Sequence, residues 1–230
     1  MRISIFRSAI ALWLVCLIVL LAGCEGSPSP SEPNQGDPTG EPPADQGDDG
    51  AATKEEQAMK GNIVVTSSAF VQGAEIPAKY TADGEDVSPS LDFEHIPPGT
   101  KSLAIICDDP DAPSRKNPRP EGPWVHWVIY NLPTNISPLP EGVARQAEVE
   151  AIEGVRQGAN SWSKDNVGYL GPSPPPGSGP HRYYFTVYAL DTMLDLPAGE
   201  ADKASLLTAM EGHILDQGAL MGTYERKEEG

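Results

Sequence analysis

The chain is 230 residues long and carries a formal net charge of −17, a length that allows about one domain of ~100–200 residues once a targeting segment is set aside. An acidic surface of this kind is repelled by nucleic acid and by anionic lipid headgroups, and no basic stripe interrupts it. The composition therefore argues against a nucleic-acid partner.

Residues 1–23 read as an export signal. Arg2 and Arg7 make a basic start, and AIALWLVCLIVLLA from Ala9 to Ala22 is an apolar core. That core, roughly 14 residues, is shorter than the ~20 that a membrane span needs. Leu21, Ala22 and Gly23 stand directly before Cys24, a pattern that resembles the bacterial lipoprotein signal, in which the cysteine is lipidated on its sulfur and becomes the new N-terminus. The resemblance implies a protein anchored at Cys24 on the exported side of a bacterial envelope membrane, because several acyl chains on one residue hold without a span. An ordinary signal with an incidental cysteine is the other reading.

Residues 24–60 are Pro, Gly, Ser and acid with almost no large apolar side chain. Such a segment buries too little surface to offset its ordering entropy, so a disordered, self-repelling tether is predicted. The cysteines follow from this division. Cys16 leaves with the signal and Cys24 carries lipid, so Cys107 stands alone and no internal disulfide is expected. At the end of LAIIC, it reads as a small buried hydrophobe rather than a nucleophile.

From residue 61 to 230 the pattern is that of a mainly β domain. NIVVTSSAF, SLAIIC, WVHWVIYNL and RYYFTVYAL read as strands, the last two apolar on both faces and therefore central. ADKASLLTAMEGHILDQ places Leu206, Leu207, Met210 and Ile214 at helical spacing, with Gly218 as its stop. Two packed sheets with peripheral helix are predicted. His213 falls near the end of that helix as a capping residue, and His95 in a surface loop.

Two histidines ask for a chemical reading. Period two on WVHWVIYN puts Trp124, His126, Val128 and Tyr130 on one face and Val125, Trp127 and Ile129 on the other. His126 is then at a core face, where an unmet ring nitrogen costs roughly 1–3 kcal/mol. Asp109 and Asp111 are the nearest acids upstream. Further on, a Gly/Pro loop delivers His181 to the start of a strand, aligned with Tyr183 and Phe185. Proline fixes φ and glycine permits unusual conformations, so that loop can form a stiff wall.

DPDAP from Asp109 to Pro113, WVHW around His126, GPSPPPGSGPHRYYF around His181 and the terminal GHILDQGALMGTY together resemble the phosphatidylethanolamine-binding protein family, also called Raf kinase inhibitor-like proteins, in its bacterial branch. The resemblance covers nearly the whole domain. It implies a two-sheet antiparallel Greek-key sandwich with a small pocket at one end, formed by Asp109, Asp111, His126, Gly171, Pro174, His181 and Tyr183. It further implies non-catalytic binding of a small anionic or phosphorylated ligand: phosphate, a carboxylate or a phospholipid headgroup. No cofactor is expected. Val125 stands where animal members often carry a second histidine, and Ser173 where bacterial relatives often carry cysteine. Export would keep the chain from cytosolic kinases.

Other readings of the same residues stay open. Asp109 and Asp111 can shape a turn, and His126 can be a satisfied core histidine. Asp109, His126 and His181 can also be imagined as a metal-assisted hydrolase site, though no HExxH, GxSxG or P-loop pattern accompanies them. SRKNPRP, Ser114 to Pro120, supplies positive charge on an acidic protein and offers a docking edge for an envelope protein.

Overall fold

The computed structural model describes residues 61–227. The expected signal, Cys24 and tether lie outside them. Among the described residues, no helix is long and apolar enough to cross a membrane.

The architecture is two antiparallel sheets. Strands β1 (Val64–Thr66) and β2 (Asp92–Glu94) make a small sheet, while β3 (Ser102–Asp109), β4 (Trp124–Leu132), β5 (Arg156–Gln157), β6 (His181–Leu190) and β7 (Ile214–Tyr224) make the main one, in the order β5-β4-β3-β6-β7. The predicted WVHWVIYNL strand matches β4 residue for residue, and β6 begins at His181, one residue ahead of RYYFTVYAL. All residues of β3 are buried because it lies mid-sheet with side chains packed on both faces. Alternation sends Leu103, Ile105 and Cys107 into one core with Trp127, Tyr183 and Phe185, and Ala104 and Ile106 into a second core beneath Leu206 and Met210 of the helix α1 (Lys203–Met210).

The period-two assignment of β4 fails in its middle. Cys107 faces Trp127 but the next residue, Asp108, faces Val125, so β4 carries an extra residue there. The bulge puts Trp127 and Ile129 in the core beside Tyr183, and moves Val128 and Tyr130 to the opposite core with Val125. Val128 and Tyr130 therefore do not share the His126 face. A second irregularity follows at Asn131, whose φ of 61° an asparagine tolerates, and whose side chain exchanges hydrogen bonds with the Leu194 backbone.

The late helix is shorter than its spacing predicts. Asp202 and Ser205 form a capping box at its start, and it ends at Met210 because Gly212, with φ of 79°, takes the left-handed conformation just beyond the cap. Ile214 opens β7 instead, half-exposed. Gly218 is no helix stop but a mid-strand crossing point, where a Cβ would sit 1.9 Å from the Ile63 carbonyl oxygen. His213 sits in the turn between the two elements and pairs with Asp191 at 2.8 Å; it does not cap the helix.

Candidate functional site

Antiparallel register gathers the chemistry at one end of the main sheet. Asp109 at the end of β3 lies opposite Trp124 at the start of β4, and Asp108 lies opposite Tyr184 near the start of β6. Three strand ends thus deliver Asp109, His126, His181 and Tyr183 to one hollow of about 210 Å³. Its walls come from loops: Ala112 and Pro113 after β3, Trp162, and Ser173, Pro174 and Pro175 from the Gly/Pro segment.

The polar floor is mostly committed to internal bonds. Asp109 Oδ2 lies 2.8 Å from His181 Nδ1, and Asp109 Oδ1 accepts from the Asp111 backbone N–H at 2.8 Å. The second His181 nitrogen lies 3.0 Å from Ser178 Oγ, whose hydroxyl donates to the Pro175 carbonyl at 2.7 Å. His181 thus has no nitrogen left over, contrary to the expectation that both imidazoles face a ligand. It braces Asp109 against the loop.

His126 is arranged differently. Its Nδ1 donates to the Leu170 carbonyl at 2.6 Å, and Nε2 has no partner in hydrogen-bond geometry among the described residues. Burial pushes its pKa below the ordinary histidine value, against the opposing pull of the Leu170 and Gly171 carbonyls and the Asp109 and Asp86 carboxylates. Its ring packs edge-on to Tyr183 at 5.1 Å and to Trp162 at 5.0 Å, centroid to centroid.

Tyr183 supplies the decisive irregularity. The residue is fully buried; the Asp109 carboxylate, already taken by His181 and the Asp111 N–H, interacts with its hydroxyl, but no acceptor among the described residues stands in hydrogen-bond geometry to it. Burial and that carboxylate hold the phenol far above its ordinary pKa, so it remains a donor. An unmet buried hydroxyl costs roughly 1–3 kcal/mol.

Two predicted pocket residues do not line the hollow. Asp111 is buried behind it, with its carboxylate engaged by Arg182: Nη2 to Oδ1 at 2.8 Å, Nε to Oδ2 at 2.9 Å, and the backbone N–H to Oδ2 at 3.0 Å. Burial works to raise its pKa, but the Arg182 bonds outweigh that and hold it low. Gly171 lies behind the wall, where a Cβ would stand 2.3 Å from the Tyr80 carbonyl oxygen, and its N–H donates to Asp86 at 2.7 Å. Both residues support the site without touching a guest.

Sequence reasoning passed over Trp124 and Trp162 as pocket residues. Trp124 shares the His126 side of β4 and packs edge-on to Trp162 at 5.2 Å, with the Arg119 guanidinium 4.7 Å above its ring. A tryptophan in the polar segment NSWSKDN is the available signal for Trp162, which is 38% exposed.

The alternatives fare less well in geometry. Among the described residues, no group of three His, Cys, Asp or Glu side chains is placed to hold a metal ion, and His181 has both nitrogens engaged. In the SRKNPRP loop, Arg115 turns to Asp111 and Arg119 to Glu121 and Trp124. Cys107 is core, its thiol pushed well up by burial and by the Asp108 and Asp109 carboxylates. A wider depression of about 420 Å³ lies on the α1 side, lined by Arg119, Asp202 and Lys203. There Lys203 pairs with Asp108, and Asp202 caps the helix.

A two-sheet β protein with one small, polar-floored and aromatic-walled hollow at its strand ends is the class that fold and site define. The chain belongs to the phosphatidylethanolamine-binding protein family, whose model matches residues 66–225. It is 45% identical over 161 residues to a UPF0098 protein of Pyrococcus horikoshii, covering 70% of this chain and 76% of that one. A UPF0098 protein of Methanothermobacter thermautotrophicus is 47% identical over 158 residues, 69% of this chain and 95% of the relative. Among solved structures, a putative phosphatidylethanolamine-binding protein homologue of Chlamydia trachomatis is 42% identical with a TM-score of 0.61, covering 72% of this chain and 98% of that one. Escherichia coli YbcL, described as a member of the mammalian family, is 29% identical with a TM-score of 0.64, covering 72% and 99%.

Proposed function

We propose that the hollow binds a small anionic or phosphorylated ligand without transforming it, and that the protein does so while anchored through lipid on Cys24 to the exported side of a bacterial envelope membrane. The observation that carries the ligand reading is the Tyr183 hydroxyl, buried without a partner beside the unused His126 Nε2. A ligand oxygen accepting from that hydroxyl removes the cost of leaving it unmet. At about 210 Å³ the space is below the ~300–1,000 Å³ of drug-sized pockets, which favours phosphate, a short carboxylate or a headgroup over an acyl chain. The walls of Trp124, Trp162, Pro113, Pro174 and Pro175 favour an organic substituent on that anion.

Asp109 and Asp111 act as support, holding His181 and Arg182 in place. The Ser178 hydroxyl that meets His181 donates to the Pro175 carbonyl and is not part of the lining, which supports binding over turnover. The test follows the imidazole resonances of His126 and His181 during titration with phosphate, acetate and phosphoethanolamine. A saturating shift at His126 is expected, with a smaller one at His181. Silence at both with every probe contradicts the reading. Release of the protein from membranes by lipase but not by salt is expected of the Cys24 anchor, and is abolished by Cys24→Ala.

A further inference from the structure

From the hydrogen-bonding character of the hollow, we infer that its ligand is a protonated oxyacid: a group that brings one acidic O–H to His126 Nε2 or Asp109 and one bare oxygen to Tyr183. This rests on the anion-binding reading and narrows it.

The inventory of free groups is lopsided. Tyr183 O–H meets no acceptor in hydrogen-bond geometry among the described residues, the neighbouring Asp109 being committed to His181 and to the Asp111 N–H. On the same lining, His126 has its Nδ1 hydrogen fixed on the Leu170 carbonyl, so the neutral ring offers a lone pair, not a hydrogen, at Nε2. Asp109, also on the lining, is acceptor-only as a carboxylate. A fully ionised oxyanion satisfies Tyr183 but sets its remaining lone pairs against those of His126 and Asp109. An ammonium group satisfies the acceptors but leaves Tyr183 unmet. Hydrogen phosphate, a phosphate monoester monoanion or a carboxylic acid satisfies both sides.

The charged and titratable surroundings of His126 are consistent with that choice. Asp109 faces it from β3, and His181 and Tyr183 from β6. Asp86 acts from the segment before β2, partly offset by Arg145 at 2.6 Å. Arg119 is turned to Glu121 and the ring of Trp124. Nε2 is therefore no ready-made cation, and the burial that lowers the His126 pKa keeps it so at neutral pH. If the proton moves from the ligand oxygen onto Nε2 after docking, the stoichiometry is unchanged: one proton enters the complex with each ligand.

The experiment is calorimetric titration of the full chain with methyl phosphate, phosphate and sulfate, each at pH 6, 7 and 8 and in two buffers of different ionisation enthalpy. Sulfate has the same shape but carries no proton in this range. Methyl phosphate, a dianion with no acidic O–H at pH 8, is expected to lose roughly tenfold in affinity per pH unit at the alkaline end, with close to one proton taken up, whereas phosphate keeps one O–H as hydrogen phosphate and needs no uptake. Sulfate is expected to bind at least ~100-fold more weakly than phosphate at pH 7, because the acceptors stay unpaired. Equal binding of sulfate and phosphate at pH 7, or binding of methyl phosphate at pH 8 without proton uptake, overturns the proton rule and leaves the anion reading standing. Failure of phosphate, methyl phosphate and acetate alike to bind at any pH overturns both.

Discussion

Two depressions lie at the same end of the main sheet, one on each side of β4, and the larger is the less interesting. On the α1 side, about 420 Å³ is bordered by charges that already have partners: Lys203 on Asp108, and Asp202 on the helix N-terminus. On the Trp124 side, half that volume contains a buried donor that meets no acceptor in hydrogen-bond geometry among the described residues and a ring nitrogen with a lone pair to offer. Unmet polar groups in a confined space mark a place where a guest lowers the free energy. Volume by itself does not.

The sharpest way to break this contrast is Asp109→Ala. It leaves His181 and the Asp111 N–H without their acceptor inside the protein, and breaking such a buried pair costs about 3–5 kcal/mol. Urea unfolding is expected to show that loss, and a change under about 1 kcal/mol would mean the bonds are not formed as described. Lys203→Met, in the other depression, is expected to cost less, about 1–3 kcal/mol. Asp108 has further interactions to fall back on. Phosphate binding should be untouched by it, and a loss of binding would erase the distinction between the two depressions.

Acid separates the regions more gently. The His126 pKa is lowered in the fold by burial, so between its folded value and the unfolded value of ~6.5 the unfolded chain holds a proton that the native state does not. Stability is then full above that range and declines as pH falls through it. Carboxylates held low by their partners, such as Asp83 on Arg226 and Asp202 on Ser205, add their losses only below about pH 4. Melting temperature is expected to drop between pH 7 and 5, and His126→Gln should flatten that drop. The smallest effect is expected from Trp162→Ala. Its half-exposed ring covers the mouth, so affinity for a phosphate monoester should fall by a few-fold, within about 1 kcal/mol, while stability hardly moves.

Much of this was legible in residue order, for reasons specific to each element. WVHWVIYNL and RYYFTVYAL are apolar on both faces, and only a mid-sheet strand makes that tolerable. Asp109, His126, His181 and Tyr183 stand near strand ends that register brings together, and Pro174 reaches the same hollow from the Gly/Pro loop. Less legible was anything that depends on a single shift of register. The bulge after His126 reverses the faces of Val128 and Tyr130 without leaving a mark in the apolar pattern. β7 was hidden because Ile214 continues the helical spacing of Met210, and because Gly218 reads as a stop until the Ile63 backbone is seen against it. The roles within the site were hidden too. That His181 is consumed by Asp109 and Ser178, while His126 keeps Nε2, depends on partners distant in sequence such as Leu170.

Tyr183→Phe bears most directly on the central claim, because it deletes one oxygen whose only unmet need is a guest. Paired urea unfolding and phosphate titration of this variant should show stability equal to or above that of the parent, together with a loss of affinity of about tenfold, the worth of one hydrogen bond. Undiminished affinity, or a clear loss of stability without ligand, would show that the hydroxyl serves the fold and not a bound oxyacid.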